Sequence, residues 1–318
     1  MPKALLAILC LAMCVTHLFV AATPVHGQAT SPATRPDVPK LHPALFLVGD
    51  SIMNTGTGTG ERGPRGWGAE IIPMFNPDKI HVYNEGRGGR SSRGYIEEGA
   101  WTRVLARMEP GDFVIVHFGH NDSANSANYP DRISGKGSGD EMQEVDAPGG
   151  KKPVHTYGWY LRQYAADARA KGATLIICSP PPRNTWAGGK ITRGFGGFVQ
   201  WAADAARLSG SPYIDLNGLS ADRFDALGQQ ESARYFADNQ HTTKLGARLN
   251  AEAVVQGLRQ LKIAPLTDAL LPTPAPSPAS RPAITPVPPA TQTGALPPSN
   301  LPYFSPGIAY SHDLFKGK

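Results

Sequence analysis

The feature that most constrains this chain is a rhythm of short apolar runs, each closed by a cluster of turn residues, with helix-compatible stretches between them. Ala44-Leu-Phe-Leu-Val48 ends at Gly49-Asp50-Ser51, and Lys79-Ile-His-Val-Tyr83 ends at Asn84 and a glycine-rich turn. Phe113-Val-Ile-Val-His-Phe118 ends at Gly119-His120-Asn121-Asp122, Thr174 to Cys178 ends at Ser179 and three prolines, and Pro212-Tyr-Ile-Asp215 is a shorter fifth run. Continuous apolar runs of this length suit strands buried on both faces. Ser92 to Met108, Tyr157 to Lys171, Gly197 to Leu208 and Thr243 to Leu261 carry helical patterns, the last with Leu245, Leu249, Ala253 and Leu258 as its apolar face. Strands alternating with helices at this spacing predict a parallel sheet covered by helices on both sides, with the site outside the carboxyl ends of the strands.

Both ends of the 318-residue chain stand apart from that rhythm. Lys3 precedes an apolar run from Ala4 to about Val20, followed by small residues. This reads as a signal peptide over 1–27, cut after Ala22 or Gly27; an uncleaved anchor is the alternative, but Thr16 and His17 leave the run short of a comfortable span. Residues 28–41 form a polar lead-in. Thirteen of the 30 prolines fall in the last 54 residues, so 265–318 reads as a low-complexity tail. The folded domain is expected over 42–264. Cys10 and Cys14 would leave with the leader, and Cys178 reads as a buried strand cysteine, so no disulfide framework is expected. A net charge of +5 does not demand an anionic partner, and no stacking module points to nucleic acid.

The chemistry-bearing residues gather at the predicted strand ends. Ser51 follows the first strand, Gly86-Arg-Gly-Gly-Arg90 the second and Asn121 the third. A serine hydroxyl attacks only when a base takes its proton. Asp238-Asn-Gln-His241, just before the last helix, supplies a carboxylate able to reach the histidine three residues on. On its own that pair could equally cap a turn and expose a surface histidine. Ser51, Gly89 and Asn121 offer N–H donors for an oxyanion; Gly89 could instead be a plain turn glycine, and Asn121 or Asp122 a helix cap.

In order along the chain, Gly49-Asp50-Ser51, Gly89, Gly119-x-Asn121-Asp122 and Asp238-x-x-His241 resemble the four blocks of the SGNH/GDSL hydrolases. Gly-Asp-Ser-Ile-Met, Gly89-Arg-Ser-Ser-Arg93, Phe118-Gly-His-Asn-Asp122 and the His-Thr-Thr ending resemble the rhamnogalacturonan acetylesterases among them. The resemblance spans about Leu45 to Leu261. It implies a three-layer α/β/α, flavodoxin-like fold on a central five-stranded parallel sheet, with Ser51 as nucleophile, His241 as base and Asp238 as its partner. Ser51, Gly89 and Asn121 become the oxyanion donors, and no metal or other cofactor is implied. The expected substrate is an acetylated pectic polysaccharide met outside the cell or in the periplasm, by a monomer that does not remain in the membrane. A xylan or other sugar-ester esterase, a general short-chain esterase and a carbohydrate-binding wall module are the alternatives.

Other residues carry looser expectations. Arg87, Arg90 and Arg93 could fork onto uronate carboxylates or make ordinary surface salt bridges. His120, Arg183, Asn184 and Trp186 are candidates to touch sugar, although His120, like His117, also reads as structural. Trp67 and Trp159 could stack on sugars too, with at least one tryptophan in the core. Asp50 is expected to fix the turn around Ser51. Tyr129 to Pro153, rich in Gly and Asp, is expected to be a long loop beside the same rim and to shape substrate choice.

Overall fold

A computed structural model of the chain describes residues 42–56 and 63–272. The leader, the lead-in and the tail beyond Pro272 lie outside the described residues. Five strands, β1 (Ala44–Gly49), β2 (His81–Asn84), β3 (Phe113–His117), β6 (Thr174–Cys178) and β9 (Tyr213–Ile214), form one sheet in the order β2-β1-β3-β6-β9. Every pairing in it is parallel. This is the doubly wound order of a flavodoxin-like sheet, with the chain reversing direction across the sheet between β1 and β3.

The apolar runs do what unbroken hydrophobicity requires. Side chains alternate along a strand, so Phe46, Val48, Val114, Val116, Leu175 and Ile177 form one core face while Leu45, Leu47, Ile115 and Ile176 form the other. The first face packs against α2 (Ser92–Glu97), α3 (Ala100–Leu105), α4 (Tyr157–Ala170) and α5 (Phe198–Ser209) through Tyr95, Trp101, Leu161, Tyr164 and Phe198. The second meets α1 (Trp67–Ile71) and α7 (Lys244–Leu261) through Trp67, Ile71, Val254 and Leu258. Covering both faces excludes water from β1 and β3 entirely. Edge strand β2 is half-exposed, alternating in and out. Cys178 is buried with a free thiol, and burial pushes that thiol well above its ordinary range.

Several expectations shift. The helix expected over Ser92 to Met108 is two, because Gly99 takes a left-handed conformation (φ 73°) between α2 and α3. Helix α6 (Leu216–Ser232), capped by Asp215 accepting from the Gly218 N–H at 3.0 Å, carries no clear apolar stripe and escapes the sequence reading. On α7, Leu249, Ala253 and Leu258 are buried as expected, but Leu245 faces solvent; the buried face is centred on Ala247, Ala251 and Val254. The loop expected over Tyr129 to Pro153 contains an antiparallel hairpin, β4 (Met142–Ala147) and β5 (Gly150–His155), turning at Pro148 and Gly149. Finally, Pro265 to Leu271, assigned to the tail, lies on the body. Leu266 and Ala269 are buried and Leu270 bridges to Phe75, so apolar anchoring continues past Ala264.

Two short strands, β7 (Trp186–Ala187) and β8 (Lys190–Ile191), pair as a small ribbon. Among the described residues no helix is long and apolar enough to cross a membrane.

Candidate active site

The turn after β1 is built around Asp50. Its Oδ1 accepts from the Ile52 N–H at 2.8 Å, and its carbonyl accepts from the N–H groups of Met53 and Asn54. The turn lifts Ser51 clear of the sheet edge. Gly49 beneath it has no room for a side chain, since a Cβ would meet the His117 carbonyl at 2.6 Å.

The turn carrying Asp238 and His241 arrives from 190 residues away. The Asp238 Oδ1 accepts from the N–H groups of Gln240 (2.7 Å) and His241 (2.6 Å), closing the turn on itself. Neighbouring loops brace it: Asn184 N–H donates to the Asn239 carbonyl, Arg183 Nη2 to Gln240 Oε1, and Arg65 N–H to the Thr242 carbonyl. So held, His241 Nε2 stands 2.9 Å from Ser51 Oγ and its Nδ1 stands 2.7 Å from Asp238 Oδ2. A carboxylate only accepts, so Nδ1 carries the proton and Nε2 is left to accept from the serine hydroxyl. Burial works against the Asp238 carboxylate, but the backbone N–H groups of His241 and Gln240 and the His241 ring outweigh it and hold the carboxyl below its ordinary value.

The segment carrying Gly89 passes Ser51, with an imagined Cβ at Gly88 lying 3.9 Å from Ser51 Cβ, and Asn121 bonds to that segment. Gly89 sits at φ 76° with the Tyr129 ring where a side chain would go, 2.3 Å from an imagined Cβ. The backbone N–H groups of Ser51 and Gly89 have no acceptor among the described residues. Asn121 Nδ2 donates one hydrogen to the Arg90 carbonyl at 3.0 Å, leaving the second for an incoming oxygen, and its Oδ1 accepts from Arg132 Nη1 at 3.1 Å. A cavity of about 250 Å³ opens beside these residues, lined by Gly89, Arg90, Glu97, Tyr129, Asp131 and Arg132. Behind them, Asp122 accepts from Ser92 and Ser134, tying the turn after β3 to the start of α2.

The buried layer under the turn is polar. Burial pushes the Asp50 carboxyl up to about 7; the Ile52 N–H, Arg132 and Arg183 oppose the rise and the neighbouring Asp122 adds to it. Its Oδ2 is buried without a hydrogen-bond partner, which also disfavours the charged form. His117 accepts from Trp67 Nε1 at 3.1 Å, and burial pushes it down to about 3, so it stays neutral. The sign for Asp50 follows directly. Between about pH 4 and pH 7 the unfolded chain releases a proton that the fold keeps, so this group costs stability as pH rises through that window. Asp50→Asn is therefore expected to gain thermal stability relative to the parent as pH rises; a difference flat with pH would mean that the carboxyl is ionised in the fold.

The looser candidates fare differently. Arg93 is fully buried, held by Asp131 at 2.8 Å and Glu97 at 3.6 Å, and cannot reach a substrate. With its side chain buried and paired inside the protein, it is not placed to touch sugar as the sequence led us to expect. Arg87 and Arg90 share a single partner, Glu98, at 3.1 and 2.9 Å, so the two arginines keep one positive charge between them. His120 is corrected too: it is 3% exposed, wedged against Phe195 and His117, and burial keeps it neutral. Arg183 Nη2 donates to Gln240 Oε1 of the His241 turn and to the His120 carbonyl, and Asn184 meets that turn through its backbone N–H while its Oδ1 accepts from Trp186 Nε1 at 2.9 Å. Trp67 is core, and Trp159 stacks on His155 with ring centroids 3.7 Å apart. Tyr129, Arg132 and Gln240 escaped notice, because nothing in their local sequence announces the distant residues they meet. Among the described residues no group of three or more His, Cys, Asp and Glu is placed to hold a metal ion.

The model of the GDSL-like lipase/acylhydrolase family matches residues 47–249, a span containing all of this geometry. The chain belongs to that family. A rhamnogalacturonan acetylesterase of Emericella nidulans is 31% identical over 219 residues, covering 69% of this chain and 85% of the relative. The probable rhamnogalacturonan acetylesterase YesY of Bacillus subtilis is 31% identical over 233 residues, covering 71% of this chain and 97% of its own length. The crystal structure of Bacillus subtilis YxiM superimposes with a TM-score of 0.57 at 22% identity. It shares the fold over 70% of this chain, which spans 58% of that structure. The turn carrying Ser51 and the turn carrying His241 thus meet in three dimensions from sequence positions 190 residues apart.

Proposed function

We propose that this GDSL-family chain is an exported serine esterase that removes acetyl groups from rhamnogalacturonan through an acyl-enzyme on Ser51. The observation that carries the reading is the unbroken line from Ser51 Oγ through both His241 nitrogens to Asp238. Two relatives at 31% identity that carry the rhamnogalacturonan acetylesterase name support the substrate.

In this reading Ser51 Oγ attacks the acetyl carbonyl carbon as His241 Nε2 takes its proton, and Asp238 steadies the imidazolium. The carbonyl oxygen gathers charge and rests on the N–H groups of Ser51, Gly89 and Asn121. As the tetrahedral species collapses, His241 returns the proton to the departing sugar hydroxyl and the acetyl stays on Ser51. A water then gives its proton to His241 as it attacks the acyl-enzyme, and His241 returns that proton to Ser51 Oγ as acetate leaves. Every step uses one proton and one base. The polysaccharide is too large to enter a cell intact, which fits the export read from residues 1–27.

Acetate release from acetylated rhamnogalacturonan, acetylated xylan and an aryl acetate tests the substrate. Fastest release from the first is expected; preference for xylan would reassign it, and release only from the aryl ester would mark a general esterase. Binding without release, together with no reaction toward a covalent serine inhibitor, would mark a carbohydrate-binding module instead. Replacing Asn121 by Ala removes one donor and is expected to lower kcat by about 10²–10³. A near-normal rate would take Asn121 out of the oxyanion hole.

A further inference from the structure

We propose that Arg132 is a positioning residue that fixes the amide of Asn121, and that with Tyr129 it makes the 129–132 segment a clamp on the oxyanion hole. The proposal rests on the esterase reading above. It assigns a task to part of the Gly- and Asp-rich segment expected from the sequence to lie beside the site.

An asparagine amide can be turned over at almost no cost in shape, but the two orientations differ completely in chemistry. Only one points an N–H at the substrate oxygen. Here Oδ1 faces Arg132 Nη1 and Nδ2 faces the Arg90 carbonyl. A guanidinium has donors alone and a carbonyl has acceptors alone. The turned amide would set donor against donor at Arg132 and acceptor against acceptor at Arg90. Both contacts reject it, so the pair selects the orientation that leaves the second Nδ2 hydrogen for the oxyanion. The Arg90 carbonyl belongs to the chain just past Gly89, so the same contact ties two of the three donors together.

Arg132 is itself held. Its Nε donates to the Ala124 carbonyl, and the Asn125 side chain accepts from the backbone N–H groups of Arg132 and Ile133 at 2.8 and 3.1 Å. Its guanidinium lies 5.7 Å from the Tyr129 ring centroid, with Arg90 at 5.2 Å from the same ring. That ring fills the place of a Gly89 side chain. One short segment therefore touches the fixtures of both outer donors. Bonding from a cation to Oδ1 also polarises the amide, which strengthens its N–H as a donor. The oxyanion develops in the tetrahedral species and the transition states flanking it, not in the bound ester, so the benefit is expected on kcat more than on KM.

A double-mutant cycle in the full chain tests this, with aryl acetate and acetylated rhamnogalacturonan as substrates and thermal unfolding as the folding control. Arg132→Met is expected to lower kcat by about 10–100-fold, less than losing the donor itself, with KM changed less than about twofold. Arg132→Lys, which still donates to Oδ1, should recover part of the loss. In an Asn121→Ala background, Arg132→Met should cost less than about twofold, because the group it acts through is gone. Equal losses in both backgrounds, a change in KM alone, or full activity of a folded Arg132→Met protein would overturn the proposal. A folded parent protein that released no acetate would overturn the esterase reading and this one with it, whereas the other failures leave that reading standing.

Discussion

Ser51→Ala is expected to remove acetate release almost entirely, with a loss in kcat on the order of 10⁶. The hydroxyl is the atom that bonds to the substrate, and no neighbouring side chain can replace it: Asp50 is buried below the turn and His120 is sealed under Phe195. What remains would come from the donors of Ser51 N–H, Gly89 and Asn121 acting on a water. The fold should not suffer, because Ser51 Oγ bonds only to His241 while the turn is held by Asp50 and the backbone. Thermal unfolding of the variant should match the parent. Retained turnover in the folded variant would end the assignment of Ser51.

Asp238→Asn is expected to cost about 10⁴ in kcat. The substitution keeps the size of the side chain and an oxygen for the N–H groups of Gln240 and His241. It loses the carboxylate that requires a proton on His241 Nδ1. An amide can donate to Nδ1, which puts the ring proton on Nε2, where it faces Ser51 and blocks proton transfer. Asp238 is 52% exposed as a side chain, so water can partly replace its charge. That exposure makes the tautomer, more than the charge, the property at stake. The check is kcat for the variant beside Asp238→Ala. If both fall by less than tenfold, His241 keeps its working tautomer without Asp238, and the carboxylate serves only to close the turn.

The site could be read from the sequence to the extent that each residue is fixed by its own neighbours. Gly49-Asp50-Ser51 and Gly119-His120-Asn121-Asp122 follow strands whose unbroken apolar character is plain, and Asp238 reaches His241 within a single turn. Parallel sheet geometry then brings those ends to one rim. What escaped was set at long range. Arg93 looks like a surface arginine until Asp131, 38 residues on, closes over it. Arg132 meets Asn121 only because the chain doubles back past Ser126 and Tyr129. The β4–β5 hairpin carries the two-residue alternation of a strand in Met142 to Ala147, but glycine and charge around it obscured the pattern. Helix α6 was hidden by Gly218 and Gly228, the second of which leaves the helical region altogether (φ 77°, ψ 161°).

These corrections narrow the candidates for substrate recognition. Arg93 is buried on Asp131 and Glu97, whereas Arg87 and Arg90 share Glu98 and keep one positive charge between them. The cavity lined by Tyr129 and Arg132 includes Gly89, one of the expected oxyanion donors, in its wall.

The most direct measurement is acid quenching of the full-length protein during turnover of an acetyl ester, followed by peptide mass analysis. The expected result is an acetyl group on the peptide containing Ser51, absent when the protein carries Ser51→Ala. Steady acetate release with no acetyl on that peptide, or acetyl found on another residue that the Ser51→Ala protein still carries while turning over, would contradict it.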